Sequence, residues 1–163
     1  PDCHGEGKSI KQKCSKCHGQ GSVRAKESLT VKVPAGINTG ESIRLSGRGN
    51  SGSKGAPAGD LFLRIKVNSH PKFQRSEYDI RTPEEITIKQ AILGDKIEIE
   101  TLDGLEKLKI PAGTQPGTVF RLRDKGVPRL HGRGRGDHFV EVSVVIPKNL
   151  SRHDQKIIDE LSL

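Results

Sequence analysis

Large aliphatic residues are unevenly spread along the chain. Residues 1–26 offer only Ile10 and Val23, set among Gly5, Gly7, Gly19 and Gly21. Such a segment cannot fold by hydrophobic burial alone. From Leu29 the texture turns to β. Leu29, Val31 and Val33 alternate with Thr30 and Lys32, which predicts a half-buried strand ended by Pro34-Ala35-Gly36. Ile43 and Leu45 predict a short second strand. A Gly/Ser loop runs from Gly47 to Gly59. Leu61, Leu63, Ile65 and Val67 then alternate with Phe62, Arg64 and Lys66 as a third strand, broken by His70-Pro71.

A second β block follows. Glu84 to Ile88 reads as a strand, and Lys89 to Leu93 as a helical turn stopped by Gly94. Ile97 and Ile99 alternate with Glu98 and Glu100, Asp103-Gly104 signals a hairpin, and Leu108–Ile110 resumes the sheet. Val119–Leu122 and Phe139–Ile146 complete the block, which Pro147 closes. Ser151 predicts an N-cap with Asp154 as its capping-box partner. Ile157, Ile158 and Leu161 then form one face of a last helix, with Leu150 as a staple before the cap.

An internal repeat organises this pattern. Val33-Pro34-Ala35-Gly36 recurs as Ile110-Pro111-Ala112-Gly113, an offset of 77. At that offset Lys32 matches Lys109, Gly40 matches Gly117, Arg44-Leu45 matches Arg121-Leu122, and Gly49 matches Gly126. Gly55 matches Gly132, Gly59-Asp60 matches Gly136-Asp137, and Phe62 matches Phe139. One offset held through two loops implies two copies of one small β unit. In each, a strand turns at Pro-Ala-Gly, a second strand carries Arg-Leu, and Gly-Asp launches a long strand after a glycine loop. The glycines supply the tight turns.

Composition narrows the possibilities. The 163 residues are 31% hydrophobic and only 3% aromatic, with no Met or Trp. A single large aromatic core is excluded, and each Phe sits in an apolar run that predicts core. No stretch has the ~20 apolar residues of a membrane span. The lack of methionine makes Pro1 an unnatural start and predicts a fragment. The formal charge is +8, of which residues 1–26 supply half. Such an excess suits nucleic acid, acidic membranes or acidic partners alike. No aromatic platform accompanies it, which favours a solvated basic surface over nucleic-acid binding.

All three cysteines, Cys3, Cys14 and Cys17, lie in the first segment. A secreted disulfide scaffold would spread an even number along the chain. A local cluster instead points to metal or redox chemistry in a reducing compartment. Cys3-His4-Gly5-Glu6-Gly7 recurs as Cys17-His18-Gly19-Gln20-Gly21, and Cys14 precedes Cys17 as a CxxC pair. Such a turn brings two thiolates to one zinc at ~2.3 Å, and a structural site needs four ligands. Three cysteines leave it incomplete, and Cys3 need not face the same metal. His4 and His18, each beside a ligating Cys, are badly placed to turn back as a fourth ligand. A redox dithiol is the other reading of CxxC, but no βαβ context surrounds it.

Weaker signals resolve to structure. Gly47, Gly49 and Gly52 spell GxGxxG, yet Lys54–Gly59 cannot supply the helix that a dinucleotide site requires. Arg121–Arg135 holds six basic residues and one acid; this could grip phosphates, but a basic loop between strands is the better account. No nucleophile–base–acid set stands out, and His138 and Ser143 read as strand residues.

The CxxCxGxG elements followed by a duplicated VPAG…RL…G…GD unit resemble the zinc-finger-containing DnaJ (J-domain) co-chaperones. Cys14–Gly21 resembles the last of that family's four finger repeats, and Cys3–Gly7 the end of the third. Lys32–Gly40 and Gly55–Asp60 resemble the first C-terminal β domain; Ala91–Gly104 and Lys109–Gly117 resemble the second. The resemblance implies an all-β fold with two tandem β-sandwich-like domains related by internal duplication. It divides the chain into a truncated finger over 1–26, a peptide-binding β domain over 27–75, a second β domain over 76–149 and a dimerisation helix over 150–163.

It further implies a non-enzymatic co-chaperone of a bacterial cytoplasm, mitochondrial matrix or plastid. Such a protein binds non-native polypeptide and delivers it to a DnaK-type chaperone. An extended client would add a strand at an apolar sheet edge, with Leu29, Val31 and Leu63 at groove positions. Ile157, Ile158 and Leu161 would form a homodimer, letting two weak grooves act together. Zinc is implied at Cys3, Cys14 and Cys17, as incomplete sites, since the family pairs the fourth repeat with the first and the third with the second. No J-domain is present, and His70-Pro71 is followed by Lys72 rather than the Asp of the family motif. The chain alone should therefore not stimulate a DnaK-type ATPase. The rivals are a nucleic-acid-binding module, which predicts steep loss of affinity with salt, and a thiol–disulfide enzyme using Cys14 and Cys17.

Overall fold

The structure is a computed structural model that describes residues 14–18, 23–52 and 56–160. The fold is all-β with short helices. Its elements run β1 (Ser42–Leu45), β2 (Leu61–Arg64), β3 (Gln74–Ser76), β4 (Asp79–Thr87), α1 (Ile88–Leu93), β5 (Asp95–Thr101), β6 (Gly104–Ile110), β7 (Val119–Leu122), β8 (His138–Val145) and α2 (Arg152–Glu160). They form two compact units: Pro1–Val33 with Ile37–Val67, and Pro34–Gly36 with Asn68–Leu163. The expected domain boundary at 75/76 falls inside β3. Because β3 pairs antiparallel with β4, residues 68–76 belong to the second unit.

Among the described residues the first unit holds one antiparallel pair, with Ile43 opposite Leu63 and Arg44 opposite Phe62. Bonding continues past the strand ends through Ile65 N–H to Glu41 O (2.8 Å) and Gly40 N–H to Ile65 O (2.9 Å). The expected strand through Leu29, Val31 and Val33 does not form: residues 23–33 are irregular. Alternation equips a segment to be half-buried, but a strand also needs a partner for its backbone groups, and the described residues place none beside it. Phe62, expected in the core, is 64% exposed on the outer face of β2.

The second unit is a complete small domain. Its main sheet has the order β3-β4-β8-β7, with β4 parallel and β7 antiparallel to β8. The β5–β6 hairpin packs its inner face on this sheet. Ile99, Leu108 and Ile110 meet Ile86, Val140 and Val142 in one buried cluster, with Ala91 of α1. The hairpin follows the predicted alternation, since Lys96, Glu98 and Lys107 on its outer face are exposed. β3 and the first half of β4 went unpredicted, and Pro83 explains part of this. A proline argues against a central strand, but here it lies beyond the end of β3, where β4 has only β8 beside it.

Both helices open on capping boxes, of which the sequence pattern signals only the one at Ser151. Thr87 Oγ1 accepts from Gln90 N–H, and Gln90 Oε1 accepts from Thr87 N–H at 2.9 Å. Ser151 and Asp154 make the matching box on α2, with Asp154 N–H on Ser151 Oγ at 3.1 Å. No described helix is long and apolar enough to cross a membrane.

Candidate functional site

The repeat seen in the sequence has a hydrogen-bonded counterpart in space. Arg44 Nε donates to Asp60 Oδ2 at 2.7 Å, while Asp60 Oδ1 accepts from Gly47 N–H at 2.9 Å. Arg121 and Asp137 repeat the geometry at 2.7 Å, with Asp124 N–H on Asp137 Oδ1 at 3.0 Å. Gly47 and Asp124 share a left-handed backbone, at φ 68° and 57°. Gly49 N–H bonds Gly59 O as Gly126 N–H bonds Gly136 O. β1 and β2 therefore correspond to β7 and β8, residue for residue.

That correspondence gives the candidate site its meaning. In the second unit β8 is central, flanked by β7 on one side and β4 on the other. In the first unit β2 has β1 on one side and, among the described residues, no strand on the other. Leu61, Leu63 and Ile65 are half-buried, whereas their counterparts His138, Val140 and Val142 are fully buried. The segment matching β6 behaves likewise. Leu108 and Ile110 are core, while their counterparts differ: Val31 is half-buried and Val33 is 53% exposed.

The offset also says why. At that offset the sequences of β4 and β5 match stretches 2–10 and 18–24, which read DCHGEGKSI and HGQGSVR. Neither has the alternating aliphatics of a strand. Among the described residues, the first unit thus leaves open a strand edge and apolar side chains whose counterparts within the second unit are covered by β4 and the hairpin. Complete burial of a Val or Leu side chain stabilises by about 1.5–3 kcal/mol. A segment laid along β2 would recover part of that, together with main-chain hydrogen bonds.

Of the residues the sequence singled out, Leu63 lies on β2, opposite Ile43. Leu29 is 37% exposed and Val31 half-buried, both in the irregular segment. Phe62 was missed as a candidate. Its signal was present in the alternation of β2, which puts it on the face opposite Leu63. Cys3 and Leu161 lie outside the described residues. Ile157 and Ile158 are 45% and 48% exposed on α2, which has no buried residue.

Cys14 and Cys17 occupy a turn closed by His18 N–H on Cys14 O at 2.8 Å. The backbone amides of Cys17 and then Lys16 hold the Cys14 thiol below its ordinary value. Amides aimed at the sulfur suit a thiolate ligand, so the turn fits half of a tetrahedral zinc site. Among the described residues no group of three or more His, Cys, Asp or Glu converges on a metal position.

The basic loop is engaged in the fold. Arg135 reaches Asp103 at 2.7 Å, Lys125 reaches Glu106 at 2.9 Å, Arg121 pairs with Asp137, and Arg129 lies over the Tyr78 ring at 5.4 Å. Four of its six cations thus have internal partners.

Comparison with known proteins decides the lineage. The family model described as "DnaJ C terminal domain" matches residues 3–147. The chain belongs to the DnaJ C-terminal domain family. It is 52% identical over 160 residues to a protein of Halalkalibacterium halodurans named "Chaperone protein DnaJ", covering 98% of the chain and 43% of that relative. Proteins of the same name from Acetivibrio thermocellus and Shouchella clausii are 48% and 49% identical over 160 residues, covering 98% of the chain and 42% and 43% of those relatives. The chain thus spans less than half the length of the curated relatives it matches. The 77-residue offset falls inside the stretch matched by the family model.

Proposed function

We propose that this chain is the client-binding part of a co-chaperone and holds extended, apolar stretches of non-native polypeptide without chemistry on them. The observation that carries this reading is the β2 edge that no described strand pairs, with Leu63 half-buried on that strand at a position whose counterpart Val140 is sealed in the second unit. Membership of the DnaJ C-terminal domain family, with relatives named as chaperones, supports the same role. A strand added to β2 takes most of its affinity from backbone groups and therefore tolerates many client sequences. Leu29, Val31 and Leu63 would meet the client's side chains.

Dimerisation through α2 belongs to this reading, because Ile157 and Ile158 are exposed side by side on a helix with no buried face. Two linked edges raise avidity without any new contact. Zinc enters as a structural ion held by Cys14 and Cys17 with two further ligands from the same protein. Delivery to a DnaK-type chaperone, in the cytoplasm of a bacterium, completes the proposal and is supported by the bacterial relatives.

The test is binding of an unfolded, Leu-rich peptide at two salt concentrations, comparing the parent chain with Leu63→Asp. Client capture at β2 predicts weak salt dependence and a loss of about tenfold or more in the variant. Unchanged capture by Leu63→Asp refutes the edge. A steep fall in affinity with salt points instead to phosphate contacts.

A further inference from the structure

The outer face of the β5–β6 hairpin carries a feature that client capture at β2 does not use. Its register sets Lys96 directly opposite Lys109. Like charges directly opposite across a strand pair are destabilising. The next pair on that face, Glu98 and Lys107, has the complementary signs. Neither Lys96 nor Lys109 has an ion-pair partner among the described residues.

Both lysines border a shallow slot of about 300 Å³ lined by Leu93, Gly94, Pro111 and Ala112. Leu93 is 67% exposed at its mouth. The slot's only carboxylate is already occupied: Asp95 Oδ2 accepts from Gln90 Nε2 at 2.8 Å, and Oδ1 from Lys96 N–H at 2.7 Å. The same two bonds hold the Asp95 carboxyl below its ordinary value, so it stays a charged, engaged acceptor.

The walls are fixed. Gly113 N–H bonds Ile92 O at 3.1 Å, and Thr114 N–H bonds Ala91 O at 3.0 Å, tying the Pro-Ala-Gly turn to the end of α1. Gly94 lies against that turn so closely that a Cβ would stand 2.8 Å from Ile110 O and 2.9 Å from Ala112 N. A preformed slot loses little entropy when it is filled.

We propose that this slot binds an acidic–aliphatic segment of a partner polypeptide. An aliphatic side chain rests on Leu93 and Pro111, and a neighbouring carboxylate sits between the Lys96 and Lys109 ammonium groups. Charge complementarity selects the partner: two unpaired cations beside an apolar floor suit a carboxylate next to a Leu or Val. The slot has no aromatic surface on which a base could stack, which disfavours single-stranded nucleic acid. The site belongs to the second unit alone. Lys109 has a counterpart in Lys32, but the position matching Lys96 is Gly19. It stands independently of the β2 edge.

The test uses the full chain and a short labelled peptide with Leu-Glu-Glu-Leu in a Gly/Ser background, beside its Leu-Gln-Gln-Leu counterpart. Fluorescence anisotropy should show the Glu peptide binding about tenfold more tightly than the Gln peptide, and binding that weakens as salt is raised. Lys96→Gln combined with Lys109→Gln should lose about the same factor. Lys107→Gln, on the same outer face, should change it less than about twofold. Circular dichroism checks that the variants, all at non-core positions, keep the fold. Equal binding of the two peptides overturns the proposal, as does an unaffected double variant. Displacement of the peptide by an oligothymidylate with the same lysine dependence would reassign the site to phosphate and also overturn it.

Discussion

The two halves of this molecule contain the same motif in different company. In the second unit the Arg121–Asp137 clamp launches β8 between two neighbours, and every inward residue from His138 to Val142 is buried. In the first unit the Arg44–Asp60 clamp launches β2 with the same bond lengths, but β1 is its sole described neighbour and its inward residues stay half open. The motif therefore fixes the turn and the strand register; burial is set by what lies beside it. The copy flanked on both sides is sealed, and the copy with a single described neighbour keeps its inward side chains half open.

Substitutions at matching positions sharpen that difference. The largest effect is expected at Val140, where Val140→Asp buries an unpaired charge and should cost about 4 kcal/mol or more, unfolding the second unit. Leu63→Asp, at the matching position, should cost about 1 kcal/mol. Its main effect should be the loss of peptide capture. Urea denaturation of both variants checks this, and equal destabilisation would show that β2 is as sealed as β8.

Glycines give a second pair. A Cβ on Gly136 would collide with the carbonyl oxygen of Tyr78, whereas the nearest atom to one on Gly59 is Asn50 O at 3.9 Å. Gly136→Ala should destabilise by about 2–3 kcal/mol, and Gly59→Ala by no more than about 0.5 kcal/mol. Thermal melts of the two variants measure the contrast.

The smallest effect is in pH dependence. His138 stands where the first unit has Leu61. It is fully buried, with Nε2 at 2.6 Å from Thr82 Oγ1, and Phe73 lies edge-on to its ring. Burial, and then the charge of Lys72, hold it below its ordinary value of 6.5. The unfolded chain thus takes up this proton first. Its contribution is intact above about pH 6.5 and is lost as pH falls below that, by at most about 1.4 kcal/mol per pH unit. His138→Leu, which copies the first unit, should flatten this part of the stability–pH curve. An unchanged slope would mean that His138 is hydrated or already charged in the fold.

Much of this contrast was legible in the residues. The 77-residue offset, the hairpin at Asp103-Gly104 and the box at Ser151 and Asp154 each carry a local signal that the fold obeys. The irregular path of Leu29–Val33 was not legible, because strand formation depends on a neighbour that alternation does not report. Phe62 misled for a related reason: an aromatic in an apolar run says that a strand exists, not which face is covered. Lys96 and Lys109 were invisible as a pair, since only the β5–β6 register sets them opposite one another.

Amide hydrogen exchange along β2, with and without a saturating unfolded Leu-rich peptide, tests the open edge most directly. Added-strand binding predicts new protection at amides within Leu61–Arg64, abolished by Leu63→Asp, and no change along β8. Protection of β2 that is already complete without peptide, or peptide-induced protection confined to the second unit, would contradict it.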